Sequence, residues 1–364
     1  LQRMNELATQ SANGTNSNTD RKAIQDEIDQ LTTEIDRVSE TTKFNETYLL
    51  KGDGAEKAHN VNAHDAGIDG VTLTDKGDKV DVTLKELKAG DKISIAGKNY
   101  TIGALADDAK KLYDGVATDG TATVTVNGKA YTVQDTTPDT AKNEITKANL
   151  DKLVTAGVTV EYNGKSMTVM DADANGVDKK DSSIITAAAA YKLETAEIVK
   201  ASSIGTDTKA TAGTLTNNTF TLTKGKVNYN DALSFNLHVG ADADMTNKIT
   251  VNIDSMNSAG LGVKGIKADT EQDATYAIDA IADAISTVSS QRSALGAVQN
   301  RLEHTINNLD NVVENTTSAE SRIRDTDMAE EMVNYSKNNI LAQAGQSMLA
   351  QANQSNQGVL SLLQ

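Results

Sequence analysis

Cysteine and tryptophan are absent from the 364 residues, proline occurs once, at Pro138, and aromatic side chains make up 3%. Without cysteine there are no disulfides, thiolate metal sites or cysteine nucleophiles. Hydrophobic residues reach 38%, below the ~45–50% of ordinary globular domains, so one large aromatic-packed core is not expected. The four histidines, His59, His64, His238 and His304, are scattered along the chain. No stretch approaches the ~18 apolar residues of a membrane span, so no membrane partner is expected. The formal charge of −16 argues against a nucleic-acid surface. The opening LQRMNELATQ is neither a signal peptide nor a start with Met, and the chain is expected to begin within a longer protein.

What is present is helical periodicity at both ends. Leu1, Met4, Ala8 and Ser11 are spaced three or four apart and give way to the polar run SANGTNSNTD, so a helix is expected to end there. Asp20 is expected to cap the next helix, on which Ile24, Ile28, Leu31, Ile35 and Val38 step by 4, 3, 4, 3. That alternation is the coiled-coil period, and a single helix cannot bury such a narrow stripe alone. A partner is expected near the other end, over residues 272–318. There Ile278, Ile281, Ile285, Val288, Arg292, Leu295, Gln299, Leu302, Ile306, Leu309 and Val313 hold seam positions, with Arg292 and Gln299 as polar, register-fixing interruptions. A further amphipathic helix is expected at the end of the chain, with Met328, Met332, Ile340, Leu341, Met348 and Leu349 on its apolar face. It closes on Val359, Leu360, Leu362 and Leu363.

Between these ends the pattern changes to alternating strands broken by turn signals. VTLTDKGDKVDVTL, DKISIAGKNYTI, TATVTVNGKAYTV and GVTVEYNGKSMTV read as hairpins, with Asn127-Gly128 and Asn163-Gly164 as two-residue turns. IGALADDAKKLYDGV and SIITAAAAYKLETAEIVKA read as helices, and DALSFNLHVG with NKITVNID as a further strand pair. The expected fold is α+β and multidomain: a long antiparallel coiled-coil-like rod formed by both chain ends, carrying a β-rich α+β insert. Residues 1–50 form the first part of the rod, 51–230 an insert of one or two subdomains, 231–320 the returning hairpin and long helix, and 321–364 a final helix.

Four stretches carry a family likeness: LQRMNELATQSANGTNS, IDRVSETTKFN, SSQRSALGAVQNRLEHTINNLDNVVENTTSAESRIRDTDMAEEMV and ILAQAGQSMLAQANQSNQGVLSLL. Over roughly residues 1–50 and 233–364 the sequence resembles bacterial flagellin. The resemblance implies a structural subunit, secreted to the extracellular flagellum, that stacks with other flagellin subunits in a helical tube for motility. It implies an export chaperone and a cap as further partners, and a missing N-terminal portion, since flagellins normally begin with a helical stretch upstream of a sequence like Leu1 to Gln10. It also implies recognition by the flagellin-sensing Toll-like receptor, with Gln2, Arg3, Glu6, Leu7, Glu27, Ile281 and Ile285 at the matching positions. Arg3 is the expected anchor, because a guanidinium offers a rigid fork of donors. The segment from Ile340 to Leu363 resembles the part sensed by cytosolic inflammasome receptors.

Chemistry in the insert is thin. Asp171, Asp173, Asn175 and Gly176 match the first half of a calcium loop, but Lys179 and Ser182 stand where its later ligands belong. An acidic turn capped by Asp181 or Ser182 is the simpler reading, and the competing function is a surface-displayed, calcium-dependent binding module carried by the insert. His59 and His64, five apart, do not share a helical face as in H-E-x-x-H. No P-loop, G-x-S-x-G or G-x-G-x-x-G occurs, so neither an enzyme nor a cofactor is expected.

Overall fold

The computed structural model describes residues 1–135, 137–240 and 246–362. Its first helix, α1 (Gln2–Ser11), buries Met4, Leu7, Ala8 and Ser11 on one face. Arg21 closes the corner that follows: its guanidinium donates to the carbonyls of Ser11 (3.0 Å), Asn16 (2.9 Å) and Asn13 (3.0 Å). Carbonyls at a helix end need such partners. The next helix, α2 (Asn18–Thr41), is capped by Ser17 and not by Asp20. Asp20 sits one turn in and completes a capping box: the Ser17 hydroxyl accepts from the Asp20 N–H at 3.2 Å, and the Asp20 carboxylate accepts from the Ser17 N–H at 3.2 Å. Ile24 and Ile28 are buried and Leu31 and Ile35 half-buried, but Val38 is 40% exposed, so the stripe fades at the last of its expected positions. A small exposed hairpin, β1 (Lys43–Phe44) and β2 (Thr47–Tyr48), follows.

The insert is entered through β3 (Asp53–Asn60), and the hairpin β4 (Thr72–Asp75) and β5 (Lys79–Thr83) comes next. Then follow β6 (Lys92–Ile95), β7 (Lys98–Ile102), α3 (Ala106–Lys111), β8 (Asp119–Val126), β9 (Lys129–Gln134), a short 3-10 turn and β10 (Glu144–Ile145). The chain continues through α4 (Lys147–Leu153), β11 (Thr159–Tyr162), β12 (Lys165–Thr168), β13 (Ile184–Ile185), α5 (Ala187–Ala201), β14 (Thr211–Ala212), β15 (Thr219–Thr223) and β16 (Lys226–Asp231). The sheets run β10-β9-β8-β11-β12, β13-β7-β6 and β14-β15-β5-β4. Both Asn-Gly turns form as expected: Asn127, Gly128, Asn163 and Gly164 all have positive φ, the geometry of type I′ hairpins.

Two buried clusters organise the insert. One gathers Val80, Val82, Leu84, Ile102, Phe220, Leu222 and the inner face of α5, the other Tyr113, Val124, Val126, Val133, Leu150 and Val160. β3 pairs antiparallel with β16, so the strands by which the chain enters and leaves the insert lie side by side. Gly52, at φ 81°, begins that pairing where a Cβ would collide with the Asp231 carbonyl, so only glycine fits.

The returning chain forms β17 (Leu233–His238) and β18 (Lys248–Ile253), a two-stranded sheet, and then α6 (Glu271–Leu362), one helix of 92 residues. No break falls at residue 320: the separate final helix expected from 321 is the continuation of α6. Near its start α6 meets the end of α1, where the Glu271 carboxylate lies by Gly14. At Ile285 it borders Gln2 and Asn5, so the two helices run antiparallel. The face of α6 that enters the core is richer in alanine than the seam pattern implied. Ala274, Ala277, Ala280, Ile281 and Ala284 are buried with Met4, Leu7, Ile24 and Ile28, while Ile278, Ile285 and Val288 pack at the rim. Small side chains let helices approach closely, which the apolar count alone does not register. The chain divides into two compact units, Leu1–Ser234 with Asn252–Arg292, and Phe235–Val251 with Ser293–Gln364.

Candidate interaction surfaces

The exposed side of α1 carries a charged cluster. Arg3 donates from Nε to Glu27 on α2 at 2.9 Å and from Nη1 to Glu6 at 3.4 Å. The hydrogen bond and charge of Glu27, followed by those of Glu6, raise the already high pKa of Arg3. Beside it Gln2, Asn5, Glu6 and Ile285 line a shallow depression. Of the seven receptor positions named from the sequence, Gln2, Arg3, Glu6 and Glu27 therefore stand together at the surface, with Ile285 half-buried at the edge. Leu7 and Ile281 do not: they are 2% and 0% exposed inside the helical core and are not available to a partner. Their spacing marks the face that packs α1 against α6, and that packing consumes them.

A second surface lies along α6 beyond Ser293. Leu295, Leu302 and Leu309 are half-buried, whereas Ile306 is 56% exposed and so is not a packed seam residue. Further on, Ile323, Met328, Met332, Val333, Ile340 and Leu341 are each at least 59% exposed. Exposed apolar groups in such number along one element mark an interaction site. Val312, Val333 and Tyr335 belong to the same exposed set and fall outside the heptad positions, which is why spacing missed them. Leu363 lies outside the described residues.

In the insert, the half calcium loop is closed by its own bonds. Lys179 pairs with Asp171 at 2.8 Å, Asp173 accepts from the N–H groups of Asn175 (2.8 Å) and Val177 (2.9 Å), and Asp178 accepts from those of Asp171 and Lys180 (2.9 Å each). An ammonium thus occupies the place where a later ligand would act, and the carboxylates of Asp171 and Asp173, with Asn175 between turns, serve the loop. Among the described residues no group of three or more His, Asp or Glu side chains could hold a metal. His59 stacks on Tyr229 at 3.9 Å, and His64 Nδ1 meets Asp279 of α6 at 2.7 Å, so the two rings serve different contacts. Burial opposes a charge on His64, but the Asp279 bond and the charges of Asp279, Asp283 and Asp65 outweigh it and raise its pKa.

Arg21, Gln25 and Glu194 are buried polar residues that escaped the sequence reading. Arg21 lies three before Ile24 and Gln25 one after it, which places both beside the buried stripe, a signal available in the spacing. Gln25 accepts from the Ala268 N–H at 2.6 Å and donates to the Ile266 carbonyl at 3.0 Å. Glu194 is 3% exposed on the inner face of α5, and among the described residues its Oε2 has no hydrogen-bond partner; burial pushes its carboxyl up to about 7.

Known proteins share this chain's two ends. Residues 1–55 match the family model of the bacterial flagellin N-terminal helical region, and residues 278–363 that of the bacterial flagellin C-terminal helical region. The N-terminal match starts at residue 1 and lends no support to the expectation of a missing N-terminal portion. The chain is similar to flagellin of Clostridium tyrobutyricum, 37% identical over 98% of this chain and 77% of that one. It is also similar to flagellin B of Vibrio anguillarum, 31% identical over 100% and 76%, and to putative flagellin YvzB of Bacillus subtilis, 56% identical over 35% and 81%. FliC from Burkholderia pseudomallei, a solved structure, aligns over 82% of this chain and 92% of that one at 18% identity and a TM-score of 0.27. Identity sustained along nearly the whole length, with both helical ends matched, means that the chain belongs to the bacterial flagellin family, the structural, non-enzymatic subunits of the exported, extracellular flagellar filament.

Proposed function

We propose that the exposed apolar face of α6 is the surface by which this chain packs against other flagellin subunits. The carrying observation is the unbroken helix with Met328, Met332, Ile340 and Leu341 left in solvent. Burying such side chains yields about 1.5–3 kcal/mol each, so a helix that cannot cover them within its own chain favours association. Contacts between unlike faces of identical subunits repeat without closing, as an open helical filament requires. Before assembly the same face needs shielding, a role suited to an export chaperone, and the filament cap is the further partner at the growing end. The test is incorporation into preformed flagellar filament seeds, followed by sedimentation and electron microscopy. Met332→Glu with Ile340→Glu should abolish incorporation while leaving the circular dichroism of the subunit unchanged. Incorporation of the double variant at the parent's level overturns the reading.

The charged surface of α1, Arg3 with Gln2, Glu6 and the facing Glu27, is the proposed contact for the flagellin-sensing Toll-like receptor. What supports it is the paired, exposed guanidinium, already oriented by Glu27 and therefore losing less freedom on binding. Arg3→Ala should weaken receptor signalling about tenfold or more, as an anchor at an interface does. Because an exposed ion pair contributes ~1 kcal/mol or less, thermal stability should barely move. Signalling unchanged in a reporter-cell titration removes Arg3 from the contact.

A further inference from the structure

Four asparagines precede a glycine: Asn13, Asn127, Asn163 and Asn175. Such a step holds both reactants of a condensation, because no side chain on the glycine shields its amide nitrogen. The glycine nitrogen attacks Cγ of the asparagine; as the N–Cγ bond forms, the Cγ–Nδ2 bond breaks, and Nδ2 leaves as ammonia with the glycine N–H proton. Water then opens the succinimide at either carbonyl, giving aspartate or isoaspartate. The reaction needs a free side-chain amide, open space around the glycine, and a turn that opens transiently.

The structure separates the four on these grounds. Asn175 lies in the acidic loop, where the Gly176 N–H donates to the Asp173 carbonyl at 3.1 Å and the Thr186 hydroxyl crowds Gly176. The Asn13 amide oxygen accepts from the Thr15 N–H at 3.1 Å and its hydroxyl at 3.0 Å. Asn127 and Asn163 occupy matching type I′ turns with nothing within 4 Å of a Cβ on either glycine. They differ in what holds them. The Asn127 amide oxygen accepts from the Thr159 N–H at 2.8 Å, and its own N–H donates to the Thr159 carbonyl at 2.8 Å, which ties this turn to β11. Among the described residues nothing hydrogen-bonds the exposed Asn163 side chain. Its turn joins β11 to β12, the edge strand of the five-stranded sheet, and an edge strand held from one side opens more readily.

We propose that Asn163 is a spontaneous deamidation site, with water as co-reactant, and that it reacts ahead of the other three Asn-Gly steps. Either product adds a negative charge to a chain already at −16, and isoaspartate inserts an extra backbone carbon into a turn whose geometry sets the β11–β12 register. Peptide mass spectrometry on the folded chain, aged in mildly alkaline buffer with isoaspartyl methyltransferase labelling, follows all four sites; a second sample aged in urea removes the structural differences. In the folded chain Asn163 should convert about fivefold faster than Asn127, the protection one retained hydrogen bond gives. In urea the two rates should converge. Equal rates in the folded chain, Asn127 leading, a folded-state ratio that persists in urea, or an Asn163 that reacts only in urea each overturns the proposal.

Discussion

The helical core and the insert core differ in how completely they satisfy their buried polar groups. In the helical core the buried polar side chains find partners: Arg21 serves three backbone carbonyls, Gln25 bonds the backbone of Ile266 and Ala268, and the Ser258 hydroxyl donates to the Asp36 carboxylate (2.9 Å), which also accepts from the Ser258 N–H (2.7 Å). In the insert core Glu194 enters the apolar face of α5 among Ala190, Tyr191 and Ile198 with Oε2 unpartnered. The difference teaches that the helical ends are specified by directional bonds between distant segments, whereas the insert tolerates a polar misfit inside an apolar cluster. Substitutions at the two kinds of site should therefore change stability with opposite sign.

Gln25→Leu is expected to have the largest effect. It leaves the Ala268 N–H and the Ile266 carbonyl buried without partners, at about 1–3 kcal/mol each, so urea unfolding should show a loss of about 2–6 kcal/mol. A neutral outcome would remove the contrast. Glu194→Gln should act the other way. A carboxyl held at about 7, above its ordinary value, keeps its proton more tightly when folded, so the native state is penalised as pH rises from the ordinary carboxylate range through 7. The glutamine variant should gain on the order of 2 kcal/mol above pH 7 and nothing near pH 4, as read from unfolding curves at both. The smallest effect is expected at His64, where the insert meets α6. Its raised pKa means that its contribution is fully present below the ordinary imidazole value and is lost as pH rises through the raised one. His64→Gln should cost about 1 kcal/mol at mildly acidic pH and progressively less on the alkaline side. A cost that does not vary with pH would mean that Asp279 holds a neutral ring.

Much of the architecture was legible. Type I′ turns at Asn127-Gly128 and Asn163-Gly164 have few competing sequences, and Ile24 with Ile28 gave the face of α2. Val38, Leu7 and Ile281 show the limit: periodicity names a face but not what covers it, so an exposed end of a stripe and a buried interface candidate look alike in sequence. The alanines of α6 were underread because alanine carries little hydrophobic signal, although its size is what admits the neighbouring helix. β3 and β16 were invisible because their residues are mostly polar and their partners lie more than 160 positions apart. Of the candidate surface, Leu7 and Ile281 went into the core, while Gln2, Arg3, Glu6 and Glu27 stay accessible with Ile285 at their edge.

That same entry and exit pair sets how freely the middle of the gene product can change. With β3 and β16 zipped together, the chain has already closed a loop whose ends are fixed whatever lies between them. Closure entropy grows only with the logarithm of loop length, so doubling the enclosed segment costs about 0.6 kcal/mol. A chain that keeps its helical ends can therefore exchange the segment enclosed between β3 and β16 for one of very different size with little change in the free energy of folding those ends.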